Sequence, residues 1–128
     1  MPDRFPSSPG SVFPLYHVFA DLAEWKSADL VRLRSTDPLR IEGLAVRAGT
    51  ATHLLVANLT PQDQAVAIGP LEATRAWVRR LDEDTAPAAM TDPQRFRTTG
   101  AFEEVHHGAL QVSLAPYAVV RIDAQRDV

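Results

Sequence analysis

The sequence predicts an all-β domain, an antiparallel sandwich of two sheets that follows one short helix. Short apolar segments recur along the chain, with turn signals about every 8–12 residues, which is typical of sandwiches of about seven or eight strands. The chain has 128 residues, 45% of them hydrophobic, and no cysteine. A chain of this size can therefore form one apolar core without disulfides.

The first segment differs from the rest. Residues 1–13 contain Pro2, Pro6 and Pro9, and proline disfavours helix both at its own position and at the residue before it. The sequence predicts an extended arm or linker over 1–13, a single sandwich domain over 14–125, and a short tail at 126–128.

Residues 14–25 form the only long helical pattern. Pro14 suits a first helical turn, and large apolar residues follow at helical spacing. Such a helix either covers the sheet of its own domain or packs on a neighbouring domain, and the pattern leaves both possibilities open. The second predicts exposed apolar surface on this helix, with four domain-interface residues: Leu15, Phe19, Leu22 and Trp25.

The segment 51–60 is the predicted central strand. Leu54, Leu55 and Val56 leave no polar side in its middle, and a continuous apolar run between turns is typical of a strand that is covered on both faces. Further predicted strands are 30–34, 39–47, 64–68, 74–81, 102–106, 109–114 and 117–123.

The segment near 84–97 does not have a strand pattern. Asp84 or Thr85 can cap one short helix over 86–90, and Thr91-Asp92-Pro93 can begin a second turn that extends to Phe96. We therefore expect a helical-turn insertion at 84–97, laid over one edge or end of the sandwich.

The charges are mixed along the chain. Thirteen basic and sixteen acidic residues leave a net charge of −3, and no basic stripe predicts a nucleic-acid partner. The apolar runs are shorter than the ~20 residues of a membrane helix, so no membrane partner is predicted. Because the first residues lack the apolar centre of a signal peptide, we expect a cytoplasmic protein.

The titratable residues do not form a recognisable catalytic pattern. His106 and His107 are adjacent, and neighbours in a strand point to opposite faces, which makes a poor metal site. Glu103 and Glu104 likewise lack the facing geometry of a glycosidase pair. The sequence therefore predicts no catalytic residue, no metal and no cofactor.

Trp77 is the best candidate for a ligand platform. It lies between Arg75 and Arg79 at alternate positions of one predicted strand. An aromatic ring flanked by guanidinium groups can stack on a sugar or on a partner side chain. The alternative is that Trp77 covers the edge of the core or a domain interface.

Two segments carry a family resemblance. LVANLT at 55–60 and LAPYAVVRID at 114–123 resemble the C-terminal β-sandwich that follows the TIM barrel of many glycoside hydrolases. Together with PLYHVFADL at 14–22, they are most similar to the C-terminal region of the bacterial D-apionate lactonase family. The resemblance extends from about residue 11 to about residue 125, and Ala115 departs from it by replacing a proline.

The resemblance implies a supporting role. In such enzymes the catalytic residues lie on the barrel, which this chain does not contain. The chain is then expected to be a non-catalytic accessory domain that packs on a TIM-barrel catalytic domain, within a parent protein that is a hydrolase. The alternative is a stand-alone carbohydrate-binding module that uses the Trp77 face. Exposed apolar surface could also support a weak homodimer.

Overall fold

A computed structural model describes residues 15–31 and 33–125, without the side chains of Leu15, Tyr16 and Phe19. The predicted arm at 1–13 and the predicted tail at 126–128 lie outside the described residues. One helix precedes eight strands, and two short helices interrupt them. The elements are α1 (Leu15–Glu24), β1 (Asp29–Val31), β2 (Ile41–Ala48), β3 (Ala51–Asn58), β4 (Gln64–Ile68), β5 (Arg75–Leu81), α2 (Ala86–Thr91), α3 (Pro93–Arg97), β6 (Ala101–Glu104), β7 (Leu110–Leu114) and β8 (Val119–Gln125).

The strands form two antiparallel sheets of unequal size, which confirms the predicted sandwich. The large sheet has the order β1-β2-β3-β8-β5-β6, and the small sheet pairs β4 with β7. Strand β3 lies between β2 and β8. Leu54, Leu55 and Val56 are all buried, so the predicted central strand is indeed covered on both faces.

The inner face of the large sheet is the one that packs against the small sheet. Alternate residues of β7 and β8 are buried there, because successive side chains of a strand point to opposite faces. The result is one contiguous apolar core. Its most buried members include Val78, Leu110, Val112, Leu114, Val120 and Ile122.

The outer face of the large sheet carries helix α1. Val18 packs against the cluster that contains Leu81 and Phe96, and Trp25 stacks on the His53 ring. Because Leu81 is aligned with Val119, and His53 with Asp123, α1 runs in the same direction as β8. No helix in the described part of the chain is long and apolar enough to cross a membrane.

The insertion predicted at 84–97 contains α2 and α3, as expected from its two turn signals. The Asp92 side chain accepts a hydrogen bond from the Arg95 amide and caps α3, and Pro93 is the first residue of that helix. Ala89 and Phe96 pack against Leu81 at the end of β5. The insertion thereby extends the cover of the outer face beside edge strand β6.

Candidate functional site

Helix α1 turns polar side chains toward the sheet. His17 and Asp21 lie one helical turn apart and are completely buried, whereas Leu22 is 37% exposed. The apolar spacing predicted that one side of the helix would be buried in apolar contacts. Among the described residues, Val18 is partly buried in such contacts, and Trp25, directly after the helix, is buried. The helix is oriented this way because arginines on the sheet and on α3 bind Asp21.

Asp21 is the centre of an ion cluster. Its Oδ2 accepts a hydrogen bond from Arg79 Nη2 at 2.6 Å. Its Oδ1 accepts from Arg97 Nη2 at 2.9 Å and from Arg121 Nη1 at 2.6 Å. Since β5, α3 and β8 each contribute one arginine, this single carboxylate connects α1 to three other elements.

Two more carboxylates complete the cluster. Glu24 accepts hydrogen bonds from Arg97 and from Arg121, the latter at 2.9 Å, and Asp123 Oδ2 accepts from Arg121 Nε at 3.0 Å. Burial favours a higher pKa for Glu24, but the bonds from both arginines outweigh it, and the pKa lies below its ordinary value. Burial also opposes charge on Arg121, yet Asp123 and Asp21 raise its pKa. Three arginines thus face three carboxylates.

Arg79 is the most enclosed cation of the cluster. Its side chain is 2% exposed, and burial lowers its pKa more than the charge of Asp21 raises it. Its Nε and Nη1 atoms find no hydrogen-bond partner in the described residues, and its guanidinium carbon lies 5.2 Å from the centre of the Phe96 ring. Because the Arg79 guanidinium is removed from water, its charge depends on the carboxylate of Asp21 for compensation.

A histidine and a tryptophan close one end of the cluster. His53 Nδ1 and Asp123 Oδ1 are 2.5 Å apart, and the Trp25 ring stacks on His53 with 5.3 Å between ring centres. Trp25 is only 7% exposed and packs on Val46 and Leu55. This predicted interface residue therefore contacts the sheet of its own domain.

No group of three or more metal-ligating side chains occurs within 15–31 and 33–125.

The three predicted ligand-binding residues are separated in the structure. Arg75, Trp77 and Arg79 share the outer side of β5, but α1 covers Arg79 while Arg75 remains exposed. Arg75 places its guanidinium carbon 4.3 Å from the centre of the Phe102 ring. Trp77 is half-buried and pairs across the strands with Phe102, which is 60% exposed. We call Arg75, Trp77 and Phe102 the Trp77 surface.

Phe102 is the residue that sequence reasoning missed. It follows Gly100 at the start of a short strand, and only the register of β5 with β6 shows that it adjoins Trp77. A Cβ atom on Gly100 would lie within 2.4 Å of the Trp77 ring, so glycine is required for this close approach. The alternation of Arg75 and Trp77 was the available signal, and it identified two of the three residues of this surface.

An open depression adjoins Trp77. It has a volume of about 490 Å³ and is lined by Trp77 together with side chains that can hydrogen-bond: Glu24, Gln94, Arg97, Thr98 and Arg121. The arginines here already bind carboxylates of the ion cluster. The depression therefore offers an aromatic ring and polar groups without an excess of positive charge.

Exposed apolar residues collect at one end of the sandwich. Leu39 is 87% exposed, Tyr117 64% and Leu59 47%. Backbone hydrogen bonds from Leu59 to Arg40 and from Tyr117 to Thr60 hold their segments together. Tyr117 has a φ of 56°, a left-handed conformation that is costly for an aromatic residue. We call Leu39, Leu59 and Tyr117 the end surface.

The chain can be assigned to a family. The family model of the D-apionate lactonase C-terminal immunoglobulin-like domain matches residues 38–122. The chain belongs to this family. The match extends from the turn before β2 into β8, so the family resemblance inferred from 55–60 and 114–123 is confirmed. None of the curated proteins matches the chain.

Solved structures share the fold. A GH30 endoxylanase from Clostridium papyrosolvens C71 matches 98% of this chain with a TM-score of 0.71 and 13% identity. A Paenibacillus polymyxa xyloglucanase of glycoside hydrolase family 44 matches 77% at TM-score 0.58 and 12% identity. The catalytic domain of GH30 xylanase C from Talaromyces cellulolyticus matches 84% at TM-score 0.59 and 14% identity.

The chain spans a small part of these proteins. The matched region is 31% of the Clostridium papyrosolvens chain, 19% of the Paenibacillus polymyxa chain and 23% of the Talaromyces cellulolyticus chain. At such identities the likeness shows the fold alone. The family match identifies this chain as a C-terminal immunoglobulin-like domain, and glycoside hydrolases contain a region with the same fold.

Proposed function

We propose that this chain is a non-catalytic accessory domain that packs on and supports a TIM-barrel catalytic domain of a carbohydrate-acting hydrolase. The observation that carries the proposal is the family match over residues 38–122, because that family is the C-terminal domain of a lactonase. The catalytic domain would lie outside these 128 residues, in the same polypeptide.

The ion cluster supports a structural role for the polar residues. Asp21, Glu24 and Asp123 are each bound by arginines of the domain itself. A group that already satisfies an internal partner in a buried site is held in one position and stabilises the contact between α1 and the sheet. The ion pairs within the domain thus explain the positions of these titratable groups, and no bound substrate is needed to explain them.

The end surface is the contact we assign to the catalytic domain. Each of its three apolar side chains is exposed, backbone hydrogen bonds hold their segments together, and exposed apolar patches mark interaction sites. The first turns of α1 lie toward the same end, because Val18 packs near Leu81, which is aligned with Val119. Among the interface residues predicted from sequence, Leu22 keeps partial exposure, and the roles of Leu15 and Phe19 stay predictions.

The first test is the DNA sequence on both sides of the codons for residues 1–128. We expect an in-frame region that encodes several hundred residues of alternating strands and helices. A stop codon and a ribosome-binding site immediately before the first codon, with a stop codon after the last, would overturn the proposal.

The second test measures binding between this chain and the separately produced catalytic region. A Leu39→Ser/Leu59→Ser variant should bind at least about tenfold more weakly, because each serine removes buried apolar area. Leu30→Ser is the matched control, since Leu30 is 74% exposed on edge strand β1, away from the end surface. Equal affinities for the two variants would contradict this assignment. Concentration-dependent self-association lost in the same variant would instead indicate the weak homodimer.

A second candidate function rests on the Trp77 surface. Trp77 and Phe102 are adjacent, and the neighbouring depression carries hydrogen-bonding groups, an arrangement that suits a saccharide ring in a stand-alone carbohydrate-binding module. Calorimetric titration with neutral and acidic oligosaccharides would test it. Binding that Trp77→Ala abolishes and Leu30→Ser preserves would support the module, and absence of heat for all sugars would exclude it.

A cytoplasmic location stays a prediction that cell fractionation can check.

A further inference from the structure

The small sheet leaves part of the large sheet without a facing strand. The large sheet has six strands and the small sheet two. A groove of about 490 Å³ runs beside β4 and is lined by all of its residues and by Ile41, Gly43 and Val56 of the inner face. Residues 33–37, together with Arg40 and Glu42, also line it. Beyond Leu33 a second cavity of about 430 Å³ continues the groove past Ile68, with Val31 and Leu54 in its wall.

The edge of β4 that faces this groove has no strand beside it in the described part of the chain. Strand β4 pairs with β7 along 64–68, and in an antiparallel pair alternate amides and carbonyls point away from the partner. These groups are therefore directed at the groove.

The composition of β4 favours a further strand. Charged residues and prolines usually keep an edge strand from pairing with another strand. The sequence of β4, Gln-Ala-Val-Ala-Ile, contains neither. The edge strand β6 of the large sheet, by contrast, carries Glu103 and Glu104. The β4 edge lacks that protection, and the groove beside it offers apolar residues of the inner face as well as the charged residues Arg34, Asp37, Arg40 and Glu42.

We propose that this groove receives an extended strand of about five or six residues that pairs with β4 and belongs to the same polypeptide as the catalytic domain. The source of the strand rests on the proposed function. Alternate side chains of the strand would fit between Val66 and Ile41, and the others would face solvent. The added strand would give the small sheet a third member and extend the cover of β2, where the Leu33 side chain already lies against Gly43.

The shape of the groove argues against the other occupants. It is recessed between two sheets, so the β4 edge of a second copy could enter only together with that copy's own sheets. Residues 1–13 include Pro2, Pro6 and Pro9, which have no amide hydrogen to donate to a strand partner. A strand from outside the 128 residues fits better, since the matched region is less than a third of the Clostridium papyrosolvens chain.

The groove can be tested by attaching a strand to the full chain. Gln125 donates a hydrogen bond to Thr50, and Thr50 lines the second cavity, so the last described residue lies beside that cavity and the C-terminus is the chosen point of attachment. We would append a flexible Gly/Ser linker of about ten residues, which spans roughly 15–20 Å, and then Thr-Val-Thr-Val-Thr-Val. The matched control carries Thr-Pro-Thr-Pro-Thr-Pro, which lacks the amide donors of the valines.

The measurement is amide hydrogen exchange of β4 by NMR. In the unextended chain, alternate β4 amides should exchange rapidly. The Thr/Val strand should slow them at least about tenfold and raise the thermal midpoint, because a strand that binds only the folded state stabilises it. The Thr/Pro control should leave both quantities unchanged.

Three results would overturn the inference. The first is that the Thr/Val strand does not slow exchange of the β4 amides. The second is that these amides are already protected in the unextended chain and lose that protection when residues 1–13 are removed. The third is that their protection rises with protein concentration, which identifies a second copy as the occupant. Because these experiments use this chain alone, their failure leaves the catalytic-domain proposal intact, and the DNA sequence tests that proposal separately.

Discussion

The two faces of the large sheet are buried in different ways. The inner face meets the small sheet through hydrocarbon side chains, among which Val120 and Ile122 are completely buried. The outer face meets α1 through two small apolar clusters, which contain Trp25 and Phe96, and through Asp21 and its three arginines. The difference teaches that a sheet can be buried on both faces without two wholly apolar layers when the charges on one face are matched.

The two faces should also respond differently to substitution. Removal of a core side chain costs the transfer free energy of the lost groups together with that of the cavity left behind. Removal of one member of a buried ion cluster leaves its partners charged, buried and unpaired, which costs more than the pair contributed. The predictions below test this contrast.

The largest effect is expected for Asp21→Ala. It leaves the buried Arg79 without its carboxylate and should lower the free energy of unfolding by about 3–5 kcal/mol, measured by urea denaturation. Glu83→Ala, at an exposed acid, is the control and should change stability by less than about 0.5 kcal/mol.

The double variant Asp21→Leu/Arg79→Met sharpens the first result. It removes the central carboxylate and its most buried cation together, so it should be more stable than Asp21→Ala. If the double variant were less stable than Asp21→Ala, the ion pair would contribute more to the free energy of unfolding than compensation of its own two charges.

Leu114→Ala tests the inner face. Leu114 is 1% exposed within the core, and its truncation should lower the free energy of unfolding by about 2–5 kcal/mol. The milder Ile122→Val should cost about 0.5–1.5 kcal/mol. If Leu114→Ala cost less than Ile122→Val, the small sheet would not pack as tightly as its burial indicates.

The outer face should also make stability depend on pH through His17. Burial lowers the pKa of His17 from 6.5, so the unfolded chain binds more protons than the folded chain between the two pKa values. The stabilisation is complete above pH 6.5 and decreases as the pH falls from 6.5 toward the folded-state pKa.

Urea denaturation at a series of pH values, for the parent chain and for His17→Gln, checks this. The variant should lose the decrease between neutral pH and pH 5. His107→Asn, at an exposed turn, should retain it, and an unchanged slope in both variants would assign the dependence to another group. Glu24 acts in a lower window: its pKa lies below the ordinary value, so its contribution is present above about pH 4.5 and is lost in more acidic solution.

The smallest effect is expected for Leu22→Ser. Leu22 lies on α1 beside the ion cluster but is partly exposed, so the isolated chain should change by less than about 0.5 kcal/mol. Trp25→Ala, directly after the same helix, removes a buried ring and should cost far more. A large loss for Leu22→Ser in thermal unfolding would mean that the exposed side of the helix is covered within the domain.

Local patterns predicted most of the fold because they depend on neighbours in the chain. The alternation in Leu110, Val112 and Leu114 identified β7, and the uninterrupted run at 54–56 identified the central strand. Asp92 followed by Pro93 indicated the start of α3. Each signal reflects the period or the end geometry of one element.

What covers each face was decided by the tertiary structure. Arg79 alternates with Trp77 along β5 and gave no sign of being buried, because its partner Asp21 lies 58 positions earlier in the chain. Arg121 and Asp21 are 100 positions apart, and Phe102 adjoins Trp77 only through strand register. Periodicity determines which side of an element each residue occupies, whereas compensation of a buried charge depends on which distant segment folds over it.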